Sequence, residues 1–167
     1  MSPLEARLLV TYHHWARDRA TEAVARLTAA QFTQPLGNSF ASVRDTLAHL
    51  YGADVVWLQR FCGSSPSGLP PAEQFLDLAA LQAAWSEVDD RLRTFVASLD
   101  EPALATSITY RAFNGQDATL PYWQMLQHLV NHGSYHRGQV TTLLRQLGAP
   151  APRGMDLVAF YRERQVH

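Results

Sequence analysis

Four stretches of this chain space their apolar residues three and four apart, and each is bracketed by residues that start or stop a helix. A period of about 3.6 residues puts the apolar side chains of a stretch on one face, so four such faces must be buried against one another. The first stretch opens on Ser2, Pro3 and Glu5: a cap, a proline at the first helical position and a carboxylate at the third. Leu4, Leu8, Tyr12 and Trp15 carry its stripe, and the spacing predicts a helix to about Ala29. Pro35, Gly37 and Asn38 mark a loop. Ser42 and Asp45 start the second stretch, which runs through Val43, Leu47, Leu50, Trp57, Leu58 and Phe61 and stops at Gly63. A turn-rich segment reaches Pro71, and a third helix is predicted from near Asp77 to near Leu99. Pro121 opens the fourth, and Gly148 closes it ahead of Pro150 and Pro152. Asp156 to Arg164 reads as a short final helix.

Between Thr106 and Leu120 the pattern changes. Ile108, Tyr110 and Phe113 favour extended chain, and Asn114-Gly115 is a turn signal, so a short hairpin or extended loop is predicted. The expected fold is all-α: a four-helix bundle with a short hairpin or loop insertion before the fourth long helix and a short C-terminal helix, one domain over residues 1–167. A hydrophobic content of 47% supplies the interior that such a bundle needs. The net charge of -1 leaves no basic excess to neutralise phosphates, which argues against nucleic acid as a partner. No apolar run has the length of a membrane span, and Met1-Ser2-Pro3-Leu4-Glu5 does not read as a signal peptide. A single cysteine, Cys62, precludes an internal disulfide, and a cytoplasmic location is expected.

The fourth helix carries His128, His132 and His136 on one line. Residues four apart stack on one face, so His132 and His136 can grip one cation. Relative to the apolar stripe of that helix they fall roughly 80° and 40° to one side, on the shoulder of the buried face where a crevice between helices would lie. His128 and His136 are about 12 Å apart along the axis, too far to share an ion. A third ligand must come from another helix. His49, mid-way along the second helix and on the shoulder of its stripe, is the best placed, with His13 and His14 on the first helix as alternatives. Cys62 lies roughly 20 Å further along the second helix than His49 and cannot join it on one ion. Gly133 falls on the buried line itself, where it would let a neighbouring helix approach closely.

The run His128-Leu-Val-Asn131-His132-Gly-Ser-Tyr-His136-Arg137-Gly138-Gln139-Val140 resembles the fourth-helix motif of the DinB/YfiT family of small metal-binding four-helix bundles. His49-Leu-Tyr-Gly-Ala-Asp54-Val-Val-Trp57, Tyr12 and Trp15, the Asn114-Gly115 hairpin and Asp156-Leu157-Val158 fit the same pattern. The resemblance implies a metal triad of His49, His132 and His136, with His128 lining the site or standing behind the ligands. It also implies homodimers, and activities similar to thiol-dependent S-transferases.

Three imidazoles leave coordination positions open, as in catalytic rather than structural zinc sites, and all-nitrogen ligation suits nickel as well as zinc. An open divalent cation acidifies bound water and thiols. Taken with the resemblance, this chemistry implies a thiol-dependent S-transferase acting on electrophilic small molecules, with a low-molecular-weight thiol as cosubstrate. Metal-dependent hydrolysis and a metal-binding module without turnover are the alternatives. Around the triad, Asp45 is a candidate to orient His49 or else a helix-start carboxylate. Gln139 either contacts a ligand or faces solvent. Tyr12 and Trp15 either wall the pocket or belong to the core. Asp54 and Arg137 both fall on buried faces and are expected to pair, since neither charge is buried alone without cost. Cys62 near a helix C-terminus is a poor thiolate, and Ser134 lacks the orienting acid of a nucleophilic serine.

Overall fold

The computed structural model describes residues 1–165, and its elements follow from the caps written into the sequence. α1 (Pro3–Val24) begins in a reciprocal box: Ser2 Oγ accepts from the Glu5 N–H at 3.2 Å and Glu5 Oε2 from the Ser2 N–H at 2.8 Å. It ends short of Ala29 because Thr28 starts a helix of its own. The Thr28 hydroxyl accepts from the Gln31 N–H and Gln31 Oε1 from the Thr28 N–H, opening the short α2 (Ala29–Thr33). α3 (Val43–Phe61) is capped by Ser42 and α4 (Leu78–Ala97) by Asp77, with a single 3-10 turn, Ala72–Gln74, between them. A further short helix, α5 (Glu101–Ala105), is capped by Asp100. The hairpin forms where expected: β1 (Ser107–Arg111) and β2 (Asp117–Pro121) run antiparallel with Ile108 opposite Leu120. Gly115 supplies the left-handed turn residue at φ 80°. α6 (Tyr122–Gln146) stops ahead of Gly148 at φ 71°, and α7 (Leu157–Gln165) closes the described chain.

The four long helices form a square. α1 and α3 each pack on α4 and α6, which leaves α1 and α3 on one diagonal and α4 and α6 on the other. At the hairpin end the core is built from Trp57, Phe61, Leu92, Leu126 and Leu129. At the other end it is built from Leu47, Leu81, Trp85, Val140 and Leu144. α7 docks Phe160 against Tyr12 and Val130 on the outside of α1 and α6. No helix among the described residues is long and apolar enough to cross a membrane.

Polar groups cross the square between these core layers. Asp54 does not pair with Arg137 as its face suggested. Its Oδ1 lies 3.0 Å from His13 Nε2, and its Oδ2 accepts from Trp85 Nε1 at 2.7 Å. The reason is Gly133. A Cβ built there would lie 2.6 Å from His13 Cε1, so the missing side chain is the space the His13 ring fills on its way to Asp54. Arg137 instead donates to Ser134 Oγ at 2.9 Å and lies over the Tyr12 ring. Arg17 reaches Asp89 at 2.6 Å. Burial alone would raise the Asp54 carboxyl, but the His13 and Trp85 contacts hold it below the usual carboxylate range.

Candidate metal centre

Three imidazoles meet where α3 faces α6. The helices run antiparallel, as ring contacts show: His49 meets His132 and His136, Trp57 meets His128, and Phe61 meets Tyr122. His49 Nε2 lies 3.1 Å from His132 Nε2 and 3.2 Å from His136 Nε2, and the three donor atoms all fall within 4.8 Å of one another. Nitrogens bound at about 2.0–2.1 Å to a shared ion stand roughly 2.9–3.4 Å apart at octahedral to tetrahedral angles, so the two measured spacings suit a divalent cation.

The protonation pattern agrees. His136 Nδ1 donates to Gln139 Oε1 at 2.7 Å, which leaves the His136 Nε2 lone pair aimed into the cluster. Burial, reinforced by His136, pushes the His49 imidazole down to about 4. Burial, reinforced by His136, His49 and His128, pushes His132 down to about 3. The His49 and His132 nitrogens, which resist protonation, meet the lone pair of His136 Nε2, and three such nitrogens repel one another unless a cation lies between them. The same donor set is what zinc or nickel takes.

The surroundings sort the other candidates. His128 stands beside the triad, its ring 5.9 Å from that of His132 and 5.0 Å from Trp57, and is exposed. Gln139 contacts His136 directly rather than facing only solvent. Asp45 does not reach His49: its Oδ1 accepts from Arg44 Nε at 2.9 Å, and among the described residues it has no hydrogen bond to the imidazole. One turn along the helix leaves the short carboxylate nearer to Arg44. Tyr12 and Trp15 lie away from the triad, packed on Phe160 at ring separations of 5.6 and 5.3 Å. Tyr12 helps to line a separate cavity of about 560 Å³ with Leu8, Leu9, Trp123 and Gln127, on the side of α6 opposite the histidines. His13 is bound to Asp54, and His14 lies 3.3 Å from Asp89 with its Nδ1 at Arg93, so neither joins the triad. Ser134 is held by Arg137 and the Val130 carbonyl, and Cys62 caps α3 far from the triad.

Phe40 is the residue that sequence reasoning missed. It stacks on His49 at 4.4 Å and meets His136 edge-on at 5.5 Å. Its loop, between α2 and α3, is closed by the Leu36 N–H on the Ala41 carbonyl and tied to α6 by Asn38 on Gln146. A single aromatic among Gly, Asn and Ser residues was the available signal, but nothing local says which helix it folds over.

The sequence model of the DinB family matches residues 1–165. The chain belongs to the DinB family. Protein DinB of Bacillus subtilis (strain 168) is 28% identical over 160 residues, covering 91% of this chain and 92% of the relative. Two solved structures show the shared fold. YfiT of Bacillus subtilis, described as a probable metal-dependent hydrolase with an unusual four-helix bundle topology, superposes with a TM-score of 0.70 at 17% identity, covering 89% of this chain and 90% of YfiT. A DinB-like protein of Bacillus cereus gives 0.66 at 18% identity, covering 87% and 95%. This DinB-family chain mounts its three histidines on the neighbouring helices α3 and α6.

Proposed function

We propose that His49, His132 and His136 hold one divalent cation, zinc or nickel, and that the centre serves a thiol-dependent S-transferase acting on electrophilic small molecules. The observation that carries the reading is the convergence of three lone-pair-bearing ring nitrogens on one point between α3 and α6. When bound, such a cation supplies Lewis acidity and lowers the pKa of a thiol or water that reaches it.

The chain's own residues set the conditions. Gln139 fixes the tautomer and tilt of His136 through Nδ1. Phe40 covers His49 and shields the nitrogens from one side. His128, not drawn into the triad, is kept below the ordinary imidazole range by the partial desolvation of its ring against Trp57 and His132 and by the charge of Arg60. Its neutral ring can take the proton of an incoming thiol at a free nitrogen.

A second reading, hydrolysis with water as nucleophile, is favoured by the description of YfiT as a probable metal-dependent hydrolase. Incubating the metal-loaded protein with a panel of electrophiles, with and without a low-molecular-weight thiol, separates the two. Thiol-dependent consumption supports the transferase, and consumption without thiol supports the hydrolase. No consumption in either arm, with metal present, leaves a binding module. Assembly as a homodimer belongs to the same proposal. The exposed Leu4, Leu157, Val158 and Tyr161 on α1 and α7 offer an apolar surface for it, which sedimentation analysis of wild type would test.

A further inference from the structure

The bundle buries four arginines, and three have firm partners. Arg17 reaches Asp89, Arg19 reaches Glu163, and Arg137 donates to Ser134. Arg60 is different. It is only 6% exposed, yet among the described residues it has no carboxylate within reach. Its one hydrogen bond is a 3.4 Å contact from Nη2 to the Arg111 carbonyl, and its buried Nε has no partner.

What surrounds Arg60 is aromatic. The side chain folds back one turn so that its guanidinium lies 4.7 Å from the Trp57 ring, 4.6 Å from Tyr110 and 5.1 Å from Phe113. Rings stabilise a guanidinium through its faces. They offer its in-plane N–H groups no acceptor: Nε has none, Nη2 has only the long contact to the Arg111 carbonyl, and the side-on fork of the two is the geometry that takes an oxyanion with two parallel hydrogen bonds. Tyr110 and Phe113 come from the hairpin, and Phe113, beside the Asn114-Gly115 turn, is 52% exposed.

The cage also adjoins the triad. Trp57 lies eight residues after His49, about 12 Å along α3. His128 bridges the gap, with its ring against Trp57 on one side and His132 on the other. The exposed His128 ring therefore lies between the triad and the Arg60 cage.

We infer that Arg60 is an anion subsite, binding the carboxylate or phosphate of a small molecule whose reacting end lies at His49, His132 and His136. The inference rests on the reading that the triad works on small molecules, but anion binding at Arg60 needs neither metal nor turnover. The substrate class is accordingly narrowed to molecules with an anionic group about two helical turns from the reacting atom.

The test is an NMR titration of the full chain, zinc-loaded and as His132→Ala, with inorganic phosphate and separately with acetate at constant ionic strength. The Arg60 Nε–H, Trp57 indole N–H and His128 ring resonances are followed. A saturable shift of the Arg60 Nε–H with either anion is expected in both proteins, and the tighter anion identifies the end group. Arg60→Lys keeps the charge and loses the fork, and should weaken binding about tenfold as read at Trp57 and His128. Arg111→Gln, which removes an exposed charge on the same hairpin, should leave binding unchanged. No saturable shift of the wild-type Arg60 Nε–H at tens of millimolar of either anion overturns the inference, as does equal binding by Arg60→Lys. If Arg60→Lys does not fold, the wild-type Nε–H decides alone. Binding that persists in His132→Ala while zinc is never held counts for the subsite and against only the triad.

Discussion

Gly133→Ala is the substitution whose cost the structure sets most sharply. A methyl group at Gly133 would stand 2.6 Å from His13 Cε1, 2.9 Å from His13 Nδ1 and 2.7 Å from an Arg137 terminal nitrogen. Arg137 can swing at little cost, but His13 cannot. Its Nε2 is tied at 3.0 Å to Asp54, whose other oxygen is tied to Trp85 at 2.7 Å, so turning the ring away strands a buried carboxylate. Breaking a buried pair costs about 3–5 kcal/mol, whereas spreading α1 from α6 costs about 1–3 kcal/mol as overpacking. The cheaper route wins, so the helices should part. Alanine returns about 1 kcal/mol through better helix propensity, which leaves a net loss of up to about 2 kcal/mol. For a domain of this size that is a fall in Tm of several degrees. Because His132 is the next residue, the same movement should loosen the triad. Urea unfolding and zinc titration read the two effects separately. His13→Ala should absorb much of the damage in the double variant, a coupling that a double-mutant cycle measures. A Gly133→Ala protein clearly more stable than wild type, or one whose loss is additive with that of His13→Ala, would refute the reasoning.

Other outcomes follow from the same geometry. His49→Ala or His132→Ala should lower zinc or nickel affinity by at least a hundredfold in competition with a chelator, with helix content by circular dichroism preserved. Gln139→Leu, which removes the acceptor at His136 Nδ1, should weaken the metal by about 10–100-fold without abolishing it. The metal-free chain should lose stability as pH falls. His14 is held at about 3, chiefly by burial, and His132 and His49 at about 3 and 4, while the unfolded chain protonates near 6.5. The unfolded state therefore binds more protons between those limits, so the unfolding free energy should rise with pH from about 3 to 6.5 and flatten above it. Urea midpoints across that range check the slope, and a midpoint that climbs on acidification would contradict the sign.

Much of this was legible because helices impose a simple geometry. The i, i+4 pair on α6 and a single imidazole on the shoulder of α3 pointed to a shared site, and the turn signal at Asn114-Gly115 located the hairpin. The end of α1 at Val24 was missed: its signal was the capping box of Thr28 and Gln31, which the continuing apolar pattern obscured. The partner of Asp54 was not legible. Helical faces say which residues are buried but not which of three neighbouring helices supplies the hydrogen-bond partner, and that choice depended on the gap at Gly133. Phe40 and the cage around Arg60 were hidden for a related reason. Both depend on where a loop or hairpin folds back, and no period in the sequence encodes that.

All three donors at the proposed centre are imidazole nitrogens, and none is a sulfur. Thiolate-held ions are released when peroxide or disulfide exchange oxidises their ligands, because those reactions attack sulfur. Imidazole offers such oxidants no comparable handle. The solitary Cys62, exposed at the end of α3, could be oxidised or capped without disturbing the coordination shell. A centre of this kind would keep its ion through swings in redox conditions that empty zinc sites built on cysteine.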